Sequence, residues 1–160
     1  MKRVLVTGGN KGIGLAIVKR LVKEYPDVFV YLGSRDVGRG NAAIELIVSE
    51  FGQSAKERVK LLELDVTTDV SVQKAFDVVK LDLGSSNDLL YGVVNNAGGG
   101  GGSPRQTIEL NMYGVRRVTE AFLPLIEDGG ILYCFHLFKL LMMFMLCSFI
   151  TIPYPFSNLI

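Results

Sequence analysis

The sequence contains no tryptophan, a single histidine, His136, and two cysteines, Cys134 and Cys147, in 160 residues. So few ligating side chains give no metal-site spacing and no disulfide framework, so a zinc module and a disulfide-stapled secreted scaffold are excluded as readings. Both thiols lie in an apolar stretch and are expected to be small buried residues. An excess of charge of one sign is also missing. The 17 Lys and Arg nearly balance the 16 Asp and Glu, leaving a net charge of +1. With no basic arm and no acidic tail, nothing attracts nucleic acid as the main partner. The apolar run before the first glycines is too short for a secretion signal. A reducing, cytoplasmic setting is therefore expected.

Charge also runs out along the chain. After Asp128 the only charged side chain is Lys139. This change of composition divides the sequence into residues 1–130 and an apolar tail, 131–160.

What is present is ample apolar material, 49% of the sequence, enough for the core of one domain. Continuous apolar, β-branched runs predict strands at 2–7, 28–33, 59–64, 89–94 and 131–135. Helical spacing predicts helices at 15–25, 41–51, 71–79 and 107–126, with Gly52 as a C-cap and Pro124 near the end of the last. The glycine run at 98–102 reads as a loop. No internal repeat is visible. Strands that alternate with helices, and are apolar throughout, predict a doubly wound parallel α/β sheet covered on both faces.

Such a sheet binds ligands at the carboxyl ends of its strands. The first strand–helix turn is Thr7-Gly8-Gly9-Asn10-Lys11-Gly12-Ile13-Gly14. Glycines permit a sharp turn and close approach of a pyrophosphate, and the following helix aims free N–H groups at that anion. The plainer reading is a tight turn with no ligand. The second strand ends Gly33-Ser34-Arg35-Asp36. An acidic residue at that place favours NAD. Here small Ser34 leaves room for a 2′-phosphate, and the Arg35 guanidinium can bond it bidentately. Lys11 supplies a second positive charge. This favours NADPH over NAD, with Asp36 as the counter-indication and a solvated surface charge as the alternative for Arg35.

Thr7-Gly8-Gly9-Asn10-Lys11-Gly12-Ile13-Gly14, Leu64-Asp65-Val66, Asn95-Asn96-Ala97-Gly98 and Asn111-x-x-Gly114 occur in that order. Together they resemble the short-chain dehydrogenase/reductase family, and its carbonyl-reductase branch in particular, over residues 1–132. The resemblance implies a Rossmann-type sheet that binds a nicotinamide dinucleotide and acts on a small carbonyl compound. It implies that Gly8, Asn10, Gly12, Ile13 and Gly14 form the pyrophosphate turn and that Arg35 meets the 2′-phosphate. Asp65 and Val66 would border the adenine, and Asn96, Ala97 and Gly98 would close over the cofactor. Asn111 would be the active-site asparagine that positions a water in a proton relay. Read without the resemblance, Asp65 is a turn or helix-cap residue and Asn111 a polar residue on a helix surface.

The pattern then breaks. The family draws its proton from a tyrosine in Tyr-x-x-x-Lys, a positioned acid with a tuned pKa. Tyr25, Tyr31, Tyr91, Tyr113, Tyr133 and Tyr154 are followed four residues later by Phe29, Arg35, Asn95, Arg117, Leu137 and Asn158. None is lysine. Cys134-Phe135-His136-Leu137 stands where the family's serine is expected, so only Asn111 of the four catalytic positions is matched. The connection from Gly98 to Asn111 looks shorter than the family's, without its extra helix. The sheet is expected to be incomplete on its C-terminal side, which predicts an open edge and low stability of the isolated chain. The tail leaves three readings open. Residues 131–152 carry one lysine and one histidine and are long enough for a membrane anchor, about 20 residues. They also suit a buried helix covering the sheet edge. The reading preferred here is sequence from a truncated or read-through gene.

Overall fold

The computed structural model describes residues 1–84, 89–100 and 102–134. Five strands form one parallel sheet in these residues. They are β1 (Lys2–Val6), β2 (Val28–Ser34), β3 (Val59–Glu63), β4 (Leu90–Asn95) and β5 (Ile126–Cys134), in the order β3-β2-β1-β4-β5. The helices between them are α1 (Gly12–Glu24), α2 (Val37–Phe51), the short α3 (Gln53–Lys56), α4 (Asp69–Leu83), α5 (Pro104–Ile108) and α6 (Gly114–Phe122). The doubly wound α/β reading therefore holds. The strand order reverses at β1, whose neighbours are β2 and β4.

The sheet separates two cores. Val4 and Val6 of β1 and Val28, Val30 and Leu32 of β2 face α1, α2 and α3, where Val18, Val22, Ala43, Ile47 and Ala55 meet them. Leu5 and Tyr31, one residue out of phase, face the opposite side with Val72, Val79, Val118 and Phe122 of α4 and α6. Both side-chain sets of each central strand are thus buried, which is why these strands are apolar throughout rather than alternating.

Element boundaries shifted where side chains supplied what periodicity does not show. The helix α2 begins at Val37, not 41, because the Asp36 carboxylate caps it through the Arg39 N–H at 2.9 Å. Gly40 lets that helix approach β3, since a Cβ there would stand 2.3 Å from Leu61. Thr68 caps α4, which runs past the expected 71–79 to a left-handed Gly84. Gly52, with φ of 82°, ends α2 as expected.

The helix expected over 107–126 is the largest correction. It starts at Pro104 behind a Ser103/Gln106 capping box and is broken by a π turn (Glu109–Tyr113) before α6. A 3₁₀ turn (Leu123–Leu125) around Pro124 then ends it, so β5 begins at Ile126 rather than 131. Gly129, at φ of 79°, lies in a break of register between β4 and β5. The compositional boundary at 131 falls inside β5. No helix among the described residues is long and apolar enough to cross a membrane. The three readings of the tail beyond Cys134, together with His136 and the expected strand end at 135, lie outside the described residues.

Phe122 is fully buried and packs edge-on against Phe76 with ring centroids 5.9 Å apart. Phe122→Ala is expected to cost about 3–5 kcal/mol in urea denaturation. Leu81→Ala, on the solvent side of α4, is expected to change stability by less than about 0.5 kcal/mol.

Candidate functional site

The carboxyl edge of the sheet is where polar groups enter the interior. Thr7, Ser34, Asn95, Asn96 and Asn111 are the buried polar side chains among the described residues. All but Asn111 lie at the ends of β1, β2 and β4, and Asn111 lies on the π turn above them. Elsewhere the interior is apolar, so this edge is where the fold accepts the cost of burying polar atoms.

Thr7 joins β1 to β4. Its hydroxyl oxygen accepts the N–H groups of Asn96 at 3.0 Å and Ala97 at 2.8 Å, and the hydroxyl donates to the Val94 carbonyl at 3.4 Å. The Asn96 amide donates to the carbonyls of Thr7 at 3.0 Å and Gly8 at 3.2 Å. Gly9 N–H donates to Gly33 O at 2.9 Å, which fixes the turn to β2 as well. Asn95 donates to Thr119 Oγ1 at 3.1 Å and to Cys134 Sγ at 3.6 Å, tying β4 to α6 and β5. Burial pushes the Cys134 thiol pKa up, an effect partly offset by the Asn95 donor.

The glycines act in different ways. At Gly14 a Cβ would lie 2.2 Å from the Gly8 carbonyl oxygen and 2.4 Å from Asn96 Nδ2, so that position has no room for a side chain. Gly8 adopts φ of 64° and sits directly under Ala97. Gly12 adopts φ of 56° with nothing within 4 Å of where a Cβ would be. The open space therefore lies over Gly12, at the start of α1. Lys11 is the N-cap residue there and makes no side-chain cap, and no acidic residue occupies the first turn. The first N–H groups of a 13-residue helix thus face outward, uncapped by a side chain, where an anion suits them.

Two cations stand at this carboxyl edge, Lys11 at the N-cap of α1 and Arg35 directly after β2. Lys11 and Arg35 are exposed and have no hydrogen-bond or ion-pair partner among the described residues. The acidic neighbour, Asp36, is engaged otherwise. One oxygen caps α2 and the other pairs with Arg39 Nε at 2.9 Å. The Arg39 backbone N–H holds the Asp36 carboxyl below its ordinary pKa. Ser34 Oγ donates to the Asp36 carbonyl at 2.8 Å and fixes the corner from which Arg35 projects.

Asp65 and Asn111 show what each side chain does at home. Asp65 Oδ1 accepts the Thr67 N–H and hydroxyl at 3.0 and 2.7 Å, so its carboxylate shapes the turn while Val66 is buried beside it. The helix cap is Thr68, not Asp65. The surface reading of Asn111 is wrong. It is buried, and its amide exchanges two hydrogen bonds with the Gly99 backbone, 2.9 Å from the N–H and 2.8 Å to the carbonyl. That clasp lies next to exposed Gly98 in the glycine run. Ile13 is exposed at the start of α1, whereas Asn10 is half-buried with no side-chain hydrogen bond among the described residues. Sequence reasoning did not single out Thr7, Asn95 or Thr119. The available signal was an adjacent pair of asparagines at the end of an apolar strand, which must find partners inside the fold.

The profile of the family described as short chain dehydrogenase matches residues 2–131. Carbonyl reductase (NADPH) 1 of Pongo abelii is 36% identical over 139 residues, covering 81% of this chain and 47% of the reductase. The solved menthone neomenthol reductase of Mentha piperita superposes with a TM-score of 0.73 at 29% identity, covering 82% of this chain and 58% of that one. L-Sorbose reductase of Gluconobacter frateurii, solved with NADPH and L-sorbose, gives a TM-score of 0.66 at 27% identity, with 82% and 50% covered. The chain spans about half the length of these relatives.

Thr7→Val removes the hydroxyl and leaves the Ala97 N–H without its partner, while the Asn96 N–H keeps the Val94 carbonyl at 3.0 Å. It is expected to lower stability by about 1–3 kcal/mol in chemical denaturation, while Thr7→Ser stays within about 1 kcal/mol of the parent.

Proposed function

This chain belongs to the short-chain dehydrogenase family, a family of oxidoreductases, and on that footing we propose that residues 1–130 bind NADP(H) for the reduction of a small carbonyl compound. The observation that carries the reading is an open, uncapped start of α1 together with an Arg35 at the end of β2 that has no partner among the described residues. The residues fit the cofactor. Gly12 leaves room for a pyrophosphate over the helix N-terminus, whose N–H groups and dipole favour it, while Gly8 and Gly14 let the turn close on Ala97 and Asn96. Lys11 and Arg35 supply positive charge on the ribose side, and Asp36 is turned to capping and to Arg39. Asp65 holds the turn that presents Val66 to an adenine. Asn96, Ala97 and Gly98 form the wall opposite the glycine turn. The bound cofactor would supply the hydride.

A second reading, a non-catalytic NADP(H)-binding module, is favoured by one specific observation. No tyrosine in the sequence is followed by lysine at the fourth position. Asn111 is the catalytic position matched, and its side chain is occupied with Gly99. The two readings separate on turnover. NADPH oxidation in the presence of a panel of small ketones and aldehydes supports the enzyme, and binding without oxidation supports the module.

Fluorescence titration tests the shared premise. A charge-assisted hydrogen bond to phosphate is worth about 1.5–3 kcal/mol, so Arg35→Ala is expected to raise the Kd for NADPH roughly 10- to 100-fold. The Kd for NADH is expected to stay within about twofold of the parent, because that ribose lacks the 2′-phosphate. Equal weakening of both nucleotides, or no binding of either by the parent chain, overturns the assignment.

A further inference from the structure

The charged cluster around Arg117 has no role in the reading above. Arg117 lies on α6 with its side chain three-quarters buried. Its Nε bonds Asp69 Oδ1 at 2.6 Å and its Nη2 bonds Glu109 Oε1 at 2.6 Å, while Nη1 is buried without a partner. The Glu109 carboxylate first, and Asp69 with it, hold the guanidinium pKa above its ordinary value. Asp69 begins α4, and Glu109 begins the π turn that carries Asn111.

The helical geometry gives this pair its meaning. Residues eight apart on a straight α-helix lie ~80° apart around the axis, so Glu109 and Arg117 would point to different faces. The π turn takes in one extra residue, marked by the Gly114 N–H bonding to Glu109 O. That brings Glu109 and Arg117 back onto one face, two turns apart, where their side chains meet. The same register places Gly114 against the β3–α4 connection. A Cβ on Gly114 would lie 2.8 Å from Val66 Cγ2, so only this residue fits there. It also directs Asn111 inward to Gly99 while Met112 and Tyr113 face solvent.

We propose that Arg117 is a positioning residue that locks the π turn in register, and through it holds the Asn111 clasp on the glycine loop. Through Asp69 the same side chain docks that turn on α4. The ordinary i,i+4 pairs Arg20–Glu24 and Arg116–Glu120 have no such role, because each follows the period of a straight helix.

The test is water-exchange NMR on the nucleotide-free chain, so its outcome is independent of whether NADPH binds. The Gly99 N–H, bonded to Asn111 Oδ1, is compared with the Gly100 N–H in the same loop, which has no partner among the described residues. In Arg117→Ala the Gly99 exchange rate is expected to rise roughly tenfold toward that of Gly100, while core amides at Leu5 and Val93 change less than about threefold. Arg117→Lys is expected to restore most of the protection, since an ammonium still reaches Glu109. Arg116→Ala is expected to leave Gly99 unchanged. Should Arg117→Ala not fold, Glu109→Gln, which removes one charge and keeps the shape, must speed Gly99 exchange in the same selective way. Unchanged Gly99 protection, or acceleration spread evenly over core and loop, overturns the proposal and leaves Arg117 as a structural ion pair.

Discussion

At the carboxyl ends of β1 and β4 two parallel strands part, and their last backbone groups lose each other as partners. Buried N–H and C=O groups left in that state cost about 1–3 kcal/mol each. Thr7 and Asn96 meet the cost from within the two strands, through five hydrogen bonds across the gap. Everything built at this edge rests on that seam. Gly8 can lie against Ala97, and Gly14 against Gly8 and Asn96, only while the strands are held at this separation.

The same edge is electrostatically unbalanced. Because the N-cap residue Lys11 has no acceptor in its side chain, the start of α1 is left without a side-chain cap, and its dipole is unopposed by any acid in the first turn. Lys11 at the cap and Arg35 after β2 are unpaired among the described residues, while Arg39 is neutralised by Asp36. A concentration of unbalanced positive potential at one end of a sheet switch point is a place for an anion. The opposite wall is held differently. It depends on a π turn and on the Asn111–Gly99 exchange of hydrogen bonds, which fixes a glycine run that would otherwise carry a large conformational entropy.

Periodicity served well where burial alone decides the element. The apolar runs of β1 to β4, and the stripes of α1 and α4, follow directly from burial on both faces of a parallel sheet. It failed where a side chain made the boundary. Val37-Gly38-Arg39-Gly40 has no helical stripe, yet Asp36 caps it and Gly40 packs it on Leu61. The segment 107–126 reads as one helix, but a π turn adds a residue and shifts its register, and Pro124 ends the run early.

The sequence by itself determined the doubly wound sheet, the glycine turn and the place of Arg35, because spacing and glycine content are local and carry their own physics. Tertiary structure alone decided that Thr7 and Asn96 close the strand seam, that Asn95 ties β4 to α6 and β5, and that Asn111 is buried. Those outcomes depend on which polar atoms meet between positions 12 to 90 residues apart. No local pattern records such meetings, because they exist only once the strands have paired and the helices have packed.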